Sequence, residues 1–491
     1  MPSSSQGFAI IFSSKRKEVS YVRLIWKHKQ IKKIAKLLQT TPEALEEFEK
    51  AYHLGVLEEP VSDNLFEVNA KQAAGMNDHI TVDDSEVESL IDRIVTELLS
   101  ETTFFKYEDG TVSYGDFGIP FPEHPVTKEE ILSLPESLRP QLSGTLLKKE
   151  LNGDSYPGIL SIYKEYLKEK NPQKKKMTYD IFRQGLEIQD LDPITYQIIA
   201  KNKNSIGHWF PELTEAVKTQ DFFKIPNTTI IQVPLPLLQL TKLDYMGLTK
   251  TSLEIADRFC EKAFSLDRQK EYFIKTGVFS SKYDFRNAHI QGAEEVRTIG
   301  EYLLFIHFQA SSMSHFDLNG RNQPVIYGPC TTVEWVCREF IQDKEQNPCI
   351  YKGLPLHTEY RVFIDADKND VIGIAPYWDP DTMKKRFGHE SDKDSPHQIH
   401  DYIIYMAHEN ILMKRFDENK DSVVQHIKDM LPDLNLTGQW SLDVMQNGND
   451  FYIIDMALAA ESALKNYVPK GRLHPVKEDW IPELVKRDCY K

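Results

Sequence analysis

A chain of 491 residues with 41% hydrophobic and 27% charged residues has the make-up of a folded globular protein, and it is long enough for roughly two to four domains. Its 59 Lys and Arg against 74 Asp and Glu leave a formal net charge of −15, which argues against general adhesion to nucleic acid but allows a local basic patch. The five cysteines form no C-x-x-C pair and signal neither a disulfide framework nor a zinc site, and no apolar run reaches the roughly 18 residues of a membrane span; a cytoplasmic protein without membrane association is expected.

Residues 1–75 read as a small α+β or helical-hairpin module. Two strand-like segments, GFAIIF and VSYVRLIW, precede two helices; the first places Ile31, Ile34, Ala35 and Leu38 on one face, and Thr41 caps the second, with Pro42 at its first position. Nine Lys and Arg lie between Lys15 and Lys36 against one acid, Glu18. A helical pair in such surroundings resembles a helix-turn-helix, and a plain helical hairpin has the same pattern.

Residues 76–225 read as a mostly helical accessory region. An acidic connector leads into the amphipathic helix SEVESLIDRIVTELLSE, and a β-hairpin near 104–117 turns at Asp109-Gly110. Within that hairpin, KYEDG is one residue out of step with the K-x-D-G lysine of nucleotidyl-transferring ligases, so Lys106 is read as an ordinary hairpin lysine.

From residue 226 to about 470 the texture changes. TTIIQVPLPLLQL reads as strand and loop, and an amphipathic helix runs from Thr249 to about Phe264. The short β segments EYFIK, WVCREFI, TEYRVFID, VIGIAPYW, WSLDVMQ and FYIIDMA follow, separated by helical material at 293–309 and 397–431. This predicts an α+β unit built mainly of antiparallel hairpins. Residues 379–397, polar throughout, read as a mobile surface loop, and 471–491 as a C-terminal tail.

The chemistry-bearing residues lie in those β segments. Lys275 closes an apolar strand, where an ammonium is costly unless an anion meets it; Gly277, Ser280, Ser281 and Lys282 behind it are what a phosphate-covering loop needs. Arg361 stands among apolar strand residues and needs an anionic partner, either a phosphate or a carboxylate such as Glu359 or Glu339. In the hairpin WSLDVMQNGNDFYIIDMA, alternation places Ser441, Asp443 and Met445 on one face and Phe451, Ile453 and Asp455 on one face of the partner strand. A three-residue loop at 448–450 would set Asp443 opposite Asp455, a pair that like-charge repulsion makes unfavourable without a cation such as Mg²⁺; a two-residue Asn447-Gly448 turn would separate them.

In their order, FIKTGVFSSK, the REF strand, EYRVFID with VIGIAPYW, and SLDVMQNGNDFYIIDMALAAESAL resemble the ATP-grasp superfamily, and within it the clade named for one arginine and two lysines. The resemblance covers about residues 226–466 and implies an ATP-grasp fold, two α+β lobes that hold ATP, behind an N-terminal accessory region. It implies that Lys275 and Lys282 contact phosphates under the 277–281 loop, that Glu339 and Phe340 lie near adenine, that Arg361 neutralises the terminal phosphate, and that Asp443 and Asp455 hold Mg²⁺. One departure stands out: Met456 and Ala457 follow Asp455 where many such enzymes carry an asparagine two positions on, and Glu461 could replace that ligand only if the chain turns back.

The activity so implied is an ATP-dependent ligase joining a small-molecule or peptide carboxylate to an amine through an acyl phosphate. The competing expectation is an ATP-binding assembly or interaction protein that forms no bond, with a protein partner docked through the N-terminal half. A nucleic-acid-directed enzyme, using the basic N-terminal segment for targeting, is the weakest of the three.

Overall fold

A computed structural model describes residues 10–15, 18–24, 84–142, 168–175, 191, 196, 199–243, 245–316, 331–387 and 396–474. The chain divides into two compact units, one of residues 1–82 with 135–138 and one of the remainder. In the first, β1 (Ile10–Lys15) and β2 (Glu18–Leu24) pair as an antiparallel hairpin. The helices expected between residues 29 and 50 lie outside the described residues.

The second unit opens with α1 (Asp84–Ser100) and the hairpin of β3 (Thr103–Glu108) and β4 (Thr111–Asp116). Glu108 pairs with Thr111 across a two-residue turn in which Asp109 and Gly110 have φ of 49° and 80°, the left-handed pair that a tight hairpin requires. Next come α2 (Ile206–Val217), β5 (Phe223–Lys224), β6 (Thr228–Gln232) and α3 (Lys250–Phe264), whose N-terminus is capped by Thr249. After these the chain forms β7 (Tyr272–Thr276), β8 (His289–Ile290), α4 (Ile299–Phe316) and β9 (Glu334–Glu339). The last elements are β10 (Cys349–Ile350), β11 (Leu354–Pro355), β12 (Thr358–Asp365), β13 (Asp370–Pro376), α5 (Pro380–Phe387), α6 (Pro396–Met430), β14 (Gln439–Asn447) and β15 (Asp450–Leu458).

The strands form two principal sheets. One has the order β4-β3-β6-β9-β7-β8 and is antiparallel throughout; the other has the order β13-β12-β14-β15-β5 and is antiparallel except for its last pair. The molecule is therefore a mixed α+β protein with antiparallel sheets.

One face of the second sheet is apolar by simple alternation. Tyr360, Val362 and Ile364 of β12, with Leu442 and Val444 of β14, pack against Phe416, Val423 and Ile427 of α6 and Trp209, Phe210 and Leu213 of α2. Removing these side chains from water is the main stabilisation of this half of the unit. Among the described residues, no helix is long and apolar enough to cross a membrane.

Two expectations require correction. The segment read as a mobile loop begins as a helix, α5, because Asp379 caps it through the Thr382 N–H and hydroxyl (2.8 and 2.6 Å) and Met383 is buried against Trp378 and Tyr405. An Asp-Pro pair before a polar run is a helix start, and the polarity hid it. The residues read as loop after β6 include a short helix, Leu235–Gln239, in which the proline occupies the first turn, where its missing N–H costs nothing.

Candidate functional site

The paired aspartates meet, by a route that alternation alone does not give. The β14–β15 turn has two residues, Gly448 and Asn449, since Asn447 pairs with Asp450. Gly448 takes φ of 65°, as the first position of a primed turn requires. With that turn, unbroken pairing would set Asp443 opposite Ile454 and send Asp455 into the core with Phe451 and Ile453. A β-bulge between Asp443 and Val444 inserts Ile454 as the extra residue, and the next pair becomes Asp443 with Asp455. Beyond it the parity is reversed: Met456 and Leu458 are core residues while Asp455 faces away from them.

Across β12, β14 and β15 the row thus reads Arg361, Asp443, Asp455. The repulsion between directly opposed carboxylates is met by protein cations from two sheets. Arg361 holds both oxygens of Asp443, Nε to Oδ1 at 2.8 Å and Nη2 to Oδ2 at 2.6 Å; its partner is neither Glu359 nor Glu339. Burial opposes the Arg361 charge, but Asp443 outweighs it and holds the guanidinium above its ordinary pKa. Lys275, from β7 of the first sheet, donates Nζ to Asp455 Oδ1 at 3.0 Å. Lys275 is 2% exposed, and burial depresses its pKa despite the Asp455 carboxylate. A buried ammonium with one half-exposed partner is costly to the fold, so its position calls for a functional reason.

Lys275, Asp443 and Asp455 line a cleft that opens to solvent. Lys275, Ser280, Lys282, Glu339, Phe340, Asp443 and Asp455 all contribute to its wall; Arg361 lies behind Asp443, and Gly277 and Ser281 are not part of the lining. Gly277 is a packing residue: its N–H donates to the Glu334 carbonyl at 2.9 Å, its carbonyl accepts from Ile206, and a Cβ there would lie 2.2 Å from Ser205 Oγ. Ser281 is buried and donates to Gln309 Oε1 at 2.9 Å.

At one end Phe273, Phe285 and Phe340 form an aromatic wall, with Phe340 stacked on His289 at 3.7 Å between ring centroids. Toward the carboxylates, the Lys282 ammonium bonds the Tyr377 hydroxyl and lies 4.5 Å from the centroid of that ring.

Sequence reasoning left several lining residues out of the site, among them Glu359, Tyr377 and Arg338. Glu359 is buried beside Asp443, and its carboxyl is pushed up to about 8, first by burial and then by that neighbour. Its signal was its alternation with Arg361. Tyr377 had no signal, being one more aromatic residue after an apolar strand. Arg338 is 4% exposed; its Nη1 bonds the carbonyl of Ile454, the bulge residue, while Nε and Nη2 have no partner among the described residues. Such unmade bonds cost about 1–3 kcal/mol each. Burial lowers its pKa to about 10, with Asp455 acting the other way. The argument applied to Lys275, a charge in an apolar strand, would have found it.

Metal-binding capacity is limited. Among the described residues there is no group of three or more His, Cys, Asp or Glu placed to hold an ion. Glu461 is exposed and outside the lining, and Ala457 pairs with Ser441 in the ladder. Asp455 engages one oxygen, Oδ1, with Lys275 and the Met456 N–H, which leaves the other for a further partner. Two carboxylates suit a Mg²⁺ that arrives with phosphates and keeps several waters; they do not make an all-protein cage.

No family model and no curated protein sequence matches the chain. Among solved structures, the C-terminally truncated Cdc123 from Schizosaccharomyces pombe is similar with a TM-score of 0.33 and 13% identity over 57% of this chain and 95% of that one. A second structure of Cdc123 from Schizosaccharomyces pombe gives a TM-score of 0.32 at the same identity and coverage. Likeness at that level carries no argument about function.

Proposed function

We propose that this chain binds Mg·ATP in the cleft and acts as an ATP-grasp carboxylate–amine ligase. The observation that carries the reading is the convergence of Lys275 and Lys282, from β7 and the loop after it, on a cleft whose opposite wall bears Asp443 and Asp455. The aromatic wall of Phe273, Phe285 and Phe340 suits a purine, and the two ammonium groups suit its phosphates. Asp443 and Asp455 would hold Mg²⁺, which supplies neutralisation of charge on the phosphates. Arg361 keeps Asp443 oriented and adds positive charge beside it.

In the reaction so proposed, a substrate carboxylate oxygen attacks the γ-phosphorus and the bond to the β-phosphate oxygen breaks, releasing ADP. An amine then attacks the acyl carbon, phosphate leaves, and the nitrogen gives up a proton. No side-chain nucleophile is needed; the chain binds, orients and excludes water.

A second reading is favoured by one observation: both oxygens of Asp443 are already engaged by Arg361, and no third carboxylate joins the pair. In it, ATP closes the cleft around a protein partner without bond formation. Incubation with ATP and a metabolite extract, followed by mass spectrometry, separates the two. The ligase reading predicts ADP release coupled to a new amide and lost in Asp443→Asn. ATP binding without any ADP release supports the second reading, and no ATP binding contradicts both.

A further inference from the structure

Resting on the nucleotide reading of the cleft, we infer that Arg338 is a phosphate-binding residue of this site, gripping a phosphoryl group side-on through Nε and Nη2.

The two unpartnered nitrogens are not scattered. Nε and Nη2 form one edge of the guanidinium, the same edge that Arg361 presents to the two oxygens of Asp443. Two parallel donors on a rigid edge match a two-oxygen acceptor, a carboxylate or a phosphate. Among the described residues no carboxylate takes that edge of Arg338; the side chain borders the cleft but the edge itself is covered, so a phosphate meets it after the guanidinium turns toward the cleft. The rest of the group is accounted for: Nη1 is bonded to the Ile454 carbonyl, and the guanidinium carbon lies 5.5 Å from the Phe210 ring centroid.

Position selects phosphate. Arg338 pairs with Phe273 on β7, two residues from Lys275 and on the same face of the sheet, so the two cations are diagonal neighbours. The Arg338 charge adds to the depression of the Lys275 pKa, and both cations respond to Asp455. A fastening between the sheets needs only Nη1; a lysine or a neutral donor would serve there. Two further buried donors beside a buried lysine are explained by an anion larger than Asp455 can provide.

The test is calorimetric titration of wild type, Arg338→Met and Arg338→Lys with ATP, inorganic tripolyphosphate and adenosine, with Mg²⁺ present and folding checked by circular dichroism. The expected result is a loss of about 10- to 100-fold in affinity for ATP and for tripolyphosphate in both variants, since a lysine cannot reproduce the edge, and an unchanged affinity for adenosine. Wild-type affinity for tripolyphosphate in either folded variant overturns the inference, as does an equal loss for all three probes, which marks a purely structural role. Where Arg338→Met does not fold, Arg338→Lys decides by the same criteria. Wild-type protein that holds tripolyphosphate but not ATP would sink the nucleotide reading and leave the role of Arg338 to the variants; wild type that holds neither overturns both.

Discussion

The two faces of the ribbon β12-β14-β15 belong to the same residues of chain, yet opposite physics governs them. On one face Tyr360, Val362, Ile364, Leu442, Val444 and Ile453 belong to the core, and those of β12 and β14 follow strict alternation. On the other Glu359, Arg361, Asp443 and Asp455 gather charges that no core requires, and alternation fails at the bulge. The first face stabilises the fold; the second is a burden on it, retained where binding is proposed. That contrast predicts different outcomes for substitutions a few ångströms apart.

The largest effect is expected from breaking the buried pair. Arg361→Met alone leaves Asp443 without its partner and should cost about 3–5 kcal/mol, whereas Arg361→Met with Asp443→Leu, apolar on both faces, should regain most of that loss or exceed wild type. If the double variant is no more stable than the single one, the charges on this face are structural rather than functional.

The smallest effect is in pH. The Glu359 carboxyl is raised from 4.5 to about 8, so its contribution to stability is complete below pH 4.5 and is lost as pH rises through about 8. Glu359→Gln keeps the neutral shape and removes the titration. In magnesium- and nucleotide-free buffer its Tm should match wild type near pH 5 and exceed it by a few degrees at pH 9. A constant difference across that range would mean that Glu359 does not titrate with folding.

The same contrast explains what could be read from the sequence. The apolar face was legible because a period of two needs only the order of residues, and the strands holding Lys275, Arg361, Asp443 and Asp455 could be placed from it. The opposition of Asp443 and Asp455 was legible as one of two registers. Its actual cause is a two-residue turn combined with a bulge, and the extra residue, Ile454, meets Arg338 of another sheet, a tertiary contact with no local signal. The cations that neutralise the aspartates were invisible as such for the same reason: Lys275 and Asp455 are 180 residues apart. Gly277 and Ser281 looked like loop chemistry because small residues that pack and small residues that bind have the same composition.

The central claim is that the buried ammonium of Lys275 is placed for a nucleotide rather than for the fold. Titration of Mg·ATP into wild type and Lys275→Met, with urea midpoints taken on both, tests it most directly. The predicted result is about a 100-fold weaker affinity in Lys275→Met with a midpoint equal to or above that of wild type. Equal affinity in the two proteins, or a variant that loses its fold while wild type shows no binding, would contradict it.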